Sequence, residues 1–182
     1  MSSQKSDTAG NRDLANAVIV ALGANDKGKF VSCKQGLEEA LAQLQLAGLK
    51  IVARSSWWQS AAWPDPTDPP FLNGVAIVET ELEPKALMQL LSRIEDALGR
   101  VRSVRNAPRT LDLDLIAYGR VSGDLDGLYL PHPRASERLF VMGPLAEIAP
   151  EWRHPNSGDT ARDLAMRASV GMDAAPVGQG AF

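Results

Sequence analysis

Cysteine is nearly absent: Cys33 is the only one in 182 residues. A single thiol cannot close an intrachain disulfide or build a cysteine-based zinc site, and its isolation fits a reducing compartment, so a cytoplasmic location is expected. Long apolar runs are missing as well. No stretch approaches a membrane span, and the polar Met1–Asn16 stretch lacks the apolar segment of a secretory signal. A surplus of positive charge is also lacking. With 19 basic and 22 acidic residues the formal net charge is −3, which argues against wholesale binding to nucleic acid or to a membrane surface. Internal repeats and low-complexity tracts are absent too.

What is present is enough for one core. The length fits one domain that needs neither disulfides nor metals for stability. Residues 1–16 and 170–182 lack periodicity and read as poorly ordered tails around a single folded domain over 17–169. Ala17 to Leu22 is an apolar run ending at Gly23, a buried strand and its turn. From Lys34 to Leu46, Leu37, Ala40, Leu41 and Leu44 recur at helical spacing. Leu49 to Ser60 reads as a second strand, followed by a stiff loop in which Pro64, Pro66, Pro69 and Pro70 forbid regular structure. Phe71 to Thr80 is a third strand, and Pro84 opens a helix with Leu87, Leu91, Ile94 and Leu98 on one face, closed by Gly99. A strand over Thr110 to Tyr118 completes the order βαββαβ. That order predicts an α+β, ferredoxin-like fold: an antiparallel sheet with helices packed on it, decorated after Gly119 by short helices at Pro144–Ile148 and Thr160–Met166.

The run Thr110-Leu111-Asp112-Leu113-Asp114-Leu115 carries the chemistry. Alternate strand residues share a face, so Asp112 and Asp114 project together while the leucines face the other way. Carboxylate oxygens suit a hard cation such as Mg²⁺, which characteristically bridges one or two of them to nucleotide phosphates. Immediately upstream, Arg100, Arg102, Arg105 and Arg109 occur without an acidic residue among them. Guanidinium groups grip phosphate bidentately and never lose their charge, so the combination fits a polyphosphate whose remaining charge a metal offsets. Taken singly, Asp-x-Asp is also what a solvated strand face looks like, and each arginine is also what a surface loop looks like.

Seven short pieces in chain order resemble the 6-hydroxymethyl-7,8-dihydropterin pyrophosphokinase family. They are Ala21-Leu22-Gly23-Ala24-Asn25, Phe71-Leu72-Asn73, Gly99-Arg100-Val101-Arg102, Pro108-Arg109-Thr110-Leu111-Asp112-Leu113-Asp114, Pro131-His132-Pro133-Arg134, Glu137-Arg138-Leu139-Phe140 and Pro144-Leu145-Ala146-Glu147-Ile148-Ala149-Pro150. The resemblance spans Val18 to Trp152. It implies an ATP-dependent diphosphotransferase of folate biosynthesis that moves diphosphate onto a pterin alcohol and releases AMP, working on two small molecules. A monomer is expected. It further implies that Asp112 and Asp114 hold two Mg²⁺ ions and that Arg100 and Arg109 assist the transfer. On the same basis Phe71 and Phe140 stack on the pterin, Asn73 bonds its polar edge, and the segment containing Ser60 and Trp63 lines it. Glu95, Arg102, Arg105, Leu115, His132 and Arg138 would meet ATP. Asn106-Ala107 depart from the family, which often has an aromatic residue and a glycine there, and Ala61-Ala62 stand where two prolines are common.

Two other classes fit parts of the pattern. A non-catalytic ferredoxin-like binding module is compatible with the fold, but an RNA-binding sheet would carry exposed aromatics and a broad basic surface rather than an acidic strand. A nucleotidyltransferase also uses paired aspartates. Its glycine-serine turn ahead of the acidic strand is missing here.

Overall fold

A computed structural model describes residues 13–62, 65–99 and 110–178. The elements in chain order are β1 (Val18–Ala24), α1 (Cys33–Leu46), β2 (Lys50–Arg54), β3 (Trp58–Ser60), β4 (Phe71–Glu79), α2 (Pro84–Ala97), β5 (Asp112–Tyr118), β6 (Gly123–Leu125), β7 (Leu128–Leu130), α3 (Leu139–Ile148), α4 (Ala161–Arg167) and β8 (Ala175–Pro176), with single 3₁₀ turns at Leu14–Asn16 and Ala135–Glu137. The main sheet runs β5-β1-β4-β3-β8, with β2 also on β4, and every pairing in it is antiparallel. With β2 and β3 counted as one strand, the elements from β1 to β5 give the expected ferredoxin-like arrangement.

The strand expected over Leu49 to Ser60 is two strands. The ladder breaks at Ser55, whose hydroxyl accepts from the Val75 amide at 3.0 Å and donates to the Ser56 carbonyl at 2.7 Å. A side chain thus replaces a ladder bond, and β2 and β3 each pair separately with β4.

Alternation along the strands divides the core in two. One face of the sheet sends Val18, Val20, Leu22, Leu72, Ala76, Val78, Leu113 and Leu115 against Leu37, Leu41 and Leu44 of α1 and Leu87, Leu91 and Ile94 of α2. The other face sends Ile19, Val75, Ile77, Ile116 and Ala117 against Val141, Met142 and Leu145 of α3 and Leu164 of α4. Ile116 and Ala117 share a face because the β1–β5 register shifts between Ile19 and Val20, a bulge that places one extra residue in β5. The C-terminal part of the chain therefore supplies a third layer rather than an ornament.

Its extent differs from the pattern read in the sequence. The helix expected at Pro144 begins five residues earlier, at Leu139, and tolerates Pro144 in its interior because Val141 to Leu145 are buried against the sheet. The stretches read as tails include regular structure at Leu14–Asn16 and Ala175–Pro176. Asp13 caps the Leu14–Asn16 turn through its carboxylate, and Ala175–Pro176 adds a strand to β3. A strand of two residues has no alternation to detect, so 170–178 resembled a tail in sequence although its backbone is hydrogen-bonded to the sheet.

Candidate active site

Helix α3 covers only part of its face of the sheet. Beyond it lies a cavity of about 300 Å³, lined among others by Ala21, Gly23, Asn25, Ser60, Phe71, Asn73, Asp112, Asp114, Arg134, Arg138, Phe140 and Val170. Its floor follows from strand alternation. Phe71 and Asn73 on β4, Ala21 and Gly23 on β1, and Asp112 and Asp114 on β5 occupy positions that face the same way as the α3-side core, and the registers align them in rows. In one row Gly23 lies between Asn73 and Asp112; in the next, Ala21 lies between Val75 and Asp114. Asn73 and Asp112 are therefore two strand spacings apart, about 10 Å.

The middle of this floor is low because β1 contributes only small residues. A Cβ at Gly23 would lie 3.2 Å from the Asn73 side-chain oxygen, so glycine there leaves the amide its place. The Asn73 side chain donates to Ser60 Oγ at 3.0 Å, and both residues are buried. That bond sets the amide's orientation and joins β4 to the end of β3. Asn25, also buried, donates to the Pro69 carbonyl at 3.1 Å and ties the proline-rich loop to the end of β1.

The opposite wall rises from the segment before α3 and from α3 itself. The Arg138 guanidinium carbon lies 5.7 Å from the centre of the Phe140 ring, so a fixed positive charge and an aromatic surface enter the cavity together. His132 is fixed by its amide donating to the Ile116 carbonyl at 2.8 Å, while its Nδ1 accepts from the Arg134 amide at 3.2 Å. Burial lowers the His132 pKa and nearby Arg138 and Arg134 add to this, while the Asp114 carboxylate opposes them. The charged form of the imidazole is thereby disfavoured.

Seven of the residues singled out in the sequence meet in this one cavity: Ser60, Phe71, Asn73, Asp112, Asp114, Arg138 and Phe140. His132 lies beside β5, close enough to Asp114 to feel its charge, and is not among the lining residues. Arg100, Arg102, Arg105, Arg109 and Trp63 lie outside the described residues. Two residues connected with ATP take other places. The Leu115 side chain is core, packed with Val20 and Leu113 on the α1–α2 side, so only its backbone is left to meet a ligand. Glu95 is 2% exposed and accepts from the Leu113 amide at 2.7 Å, which makes it a support for β5 from the α2 side. Arg134 and Gly23, present in the sequence motifs without an assigned role, prove to be lining residues. Val170 had no sequence signal, since it belongs to the stretch read as a tail.

Among the described residues no cluster of three or more His, Cys, Asp or Glu side chains could cage a metal ion. The Asp112–Asp114 pair nevertheless fits Mg²⁺, which keeps much of its water and takes one or two carboxylates plus phosphate oxygens instead of a complete protein shell. With an acidic pair at one end of the floor and a ring, an amide and a second ring towards the other, the cavity suits a flat polar heterocycle beside a metal-bound polyphosphate.

Residues 19–150 match the model of the 7,8-dihydro-6-hydroxymethylpterin-pyrophosphokinase (HPPK) family. The chain belongs to this family. A 2-amino-4-hydroxy-6-hydroxymethyldihydropteridine pyrophosphokinase from Synechocystis sp. is 42% identical over 146 residues, covering 80% of this chain and 72% of the relative. One of the same description from Pseudomonas aeruginosa is 36% identical over 164 residues, covering 90% and 99%. Among solved structures, the wild-type Plasmodium falciparum HPPK-DHPS with pteroate aligns over 84% of this chain and 44% of its own, with a TM-score of 0.66 at 14% identity. At that identity the likeness speaks for the fold, and it agrees with the HPPK architecture described above.

Proposed function

We propose that this chain transfers diphosphate from ATP to the hydroxymethyl group of 6-hydroxymethyl-7,8-dihydropterin, releasing AMP, as a step of folate biosynthesis. The carrying observation is the single cavity floor on which Asp112 and Asp114 share a face with Phe71 and Asn73. In the reaction the hydroxymethyl oxygen forms a bond to the β-phosphorus of ATP, the bond from that phosphorus to the α–β bridging oxygen breaks, and the hydroxyl proton is lost.

Each described residue has a defined task. Phe71 and Phe140 stack on the pterin, and Asn73, held by Ser60, presents its amide to the ring's polar edge. Arg138 and Arg134 face the phosphates, joined by Arg100, Arg102, Arg105 and Arg109 from the adjoining segment. His132, whose Nδ1 accepts from the Arg134 amide, has its other ring nitrogen left to donate to phosphate. Asp112 and Asp114 would hold two Mg²⁺ ions, which would supply charge neutralisation and alignment of the triphosphate. Transfer of this kind needs positioning and electrostatic stabilisation more than covalent help from the protein. The solitary, half-buried Cys33 supports a cytoplasmic location.

The deciding experiment is nucleotide product analysis with purified protein, ATP, Mg²⁺ and 6-hydroxymethyl-7,8-dihydropterin, omitting each in turn. AMP that forms only in the complete mixture is the expected result. Unchanged ATP would return the chain to a binding module, and release of free diphosphate would identify a nucleotidyltransferase.

A further inference from the structure

Residues 169–177 lie beyond the matched family region, yet they touch both walls of the cavity. Their first residues bracket Arg138: the Ser169 and Val170 amides donate to the Glu137 carbonyl at 3.0 and 2.9 Å, and the Leu139 amide donates to the Val170 carbonyl at 2.9 Å. Next comes Gly171, with φ +67°, passing so close beneath Phe140 that a Cβ there would lie 2.4 Å from the ring. Asp173 then accepts from the Ala61 amide at 2.5 Å through Oδ2, immediately after Ser60, the partner of Asn73. Finally Ala175 and Pro176 pair with β3, and the Val177 amide donates to the Trp57 carbonyl at 2.9 Å.

We propose that residues 169–177 set the geometry of the heterocycle subsite, with Gly171 and Asp173 as positioning residues for the dihydropterin. This rests on reading the Phe71–Asn73–Phe140 end of the cavity as the pterin subsite. One wall of that subsite carries Phe140, in the first turn of α3, and the other ends in the backbone at 61–62, which has no helix or strand of its own. Gly171 fixes how far the Phe140 ring can retreat from the cavity. A side chain there would combine an unfavourable backbone conformation with a ring pushed forward into the space a ligand needs. Asp173 fixes the opposite edge by holding the Ala61 amide with a charged acceptor. Gly171 meets Phe140 and Asp173 holds Ala61, both at the heterocycle end, so these two residues tune recognition of the heterocycle, while 169–170 hold the backbone on either side of Arg138.

Steady-state kinetics of the full-length protein tests this, with thermal unfolding measured in parallel. Asp173 is exposed, so Asp173→Ala leaves the core intact. It is expected to raise KM for the dihydropterin at least about fivefold, while kcat and KM for ATP stay within about twofold, as suits the loss of a charge-assisted hydrogen bond near one substrate only. Asp173→Asn keeps an oxygen that accepts from the Ala61 amide and should recover most of the loss. Gly171→Ala should raise the same KM by a similar factor. An unchanged dihydropterin KM in both Asp173→Ala and Gly171→Ala would overturn the proposal, as would a joint fall of kcat, both affinities and the unfolding temperature. If the unsubstituted protein forms no AMP with dihydropterin, the reading of the subsite itself fails, and this proposal with it.

Discussion

Replacing Asp114 by asparagine should separate activity from stability. The substitution keeps the shape of the side chain and removes one of the two charges on the acidic end of the cavity floor. Two same-face residues on a strand are separated by about 6.6 Å, so the carboxylates repel by roughly 0.6 kcal/mol at the dielectric of water and about 2.5 kcal/mol at an effective dielectric of 20. Binding of a divalent cation reverses that repulsion, and losing one carboxylate halves the charge that attracts it. Removing one electrostatic group aimed at developing charge costs on the order of 10² to 10³ in kcat, and the metal role proposed for Asp114 places this variant in that range. Stability should change by less than about 1 kcal/mol, since the side chain lines a cavity instead of filling the core. The assay is dihydropterin-dependent AMP formation across a Mg²⁺ titration, with urea unfolding alongside. The expected result is a loss of at least about 10²-fold in kcat and a higher Mg²⁺ requirement. A kcat within about threefold of the unsubstituted protein would refute the metal role, and a loss of several kcal/mol in stability would show that Asp114 is structural.

Asn73→Leu should raise KM for dihydropterin by at least about tenfold without altering KM for ATP, and lower stability by about 1 to 3 kcal/mol because buried Ser60 loses its partner; parallel shifts in both KM values would argue against a pterin contact. Glu95→Ala leaves the Leu113 amide without its acceptor, so unfolding should show a cost of about 1 to 3 kcal/mol with little change in KM for ATP. A selective rise in that KM would restore Glu95 to the nucleotide. Burial pushes the Glu147 carboxyl up, but the Ser56 amide, Trp58 Nε1 and Ser56 hydroxyl donate to it and hold its pKa below the ordinary value. With a lowered folded-state pKa, its contribution to stability is complete above the unfolded value of about 4.3 and disappears as pH falls through the folded value. The stability advantage over Glu147→Gln, read from urea midpoints, should therefore shrink in acid, and a pH-independent difference would contradict the ion's role.

The parts of this fold that periodicity makes visible are the ones that bury a single face. Leu37, Leu41 and Leu44 marked α1, Leu87, Leu91 and Ile94 marked α2, and the alternation through Asp112 to Leu115 placed two carboxylates on one side of β5 before any neighbour was known. What periodicity could not reveal is which neighbour each face meets. Nothing local distinguishes Glu95 accepting a β5 amide from a solvated glutamate on α2, because the deciding partner, Leu113, lies eighteen residues away. Leu115 likewise sits in a run matching a nucleotide site, yet its side chain points to the α1–α2 core by the same alternation that turns Asp114 the other way. The segment 169–177 was the least legible, as it is held by backbone bonds to Glu137, Trp57 and β3 and by one carboxylate on Ala61. Backbone pairing needs no particular side chain, so its sequence traces are only Gly171, at a point where Phe140 leaves no room for a Cβ, and Asp173. Phosphate and metal demand specific residue types and so leave a pattern that a sequence can display, whereas holding a backbone in place, as 169–177 does at Glu137 and Trp57, leaves almost none.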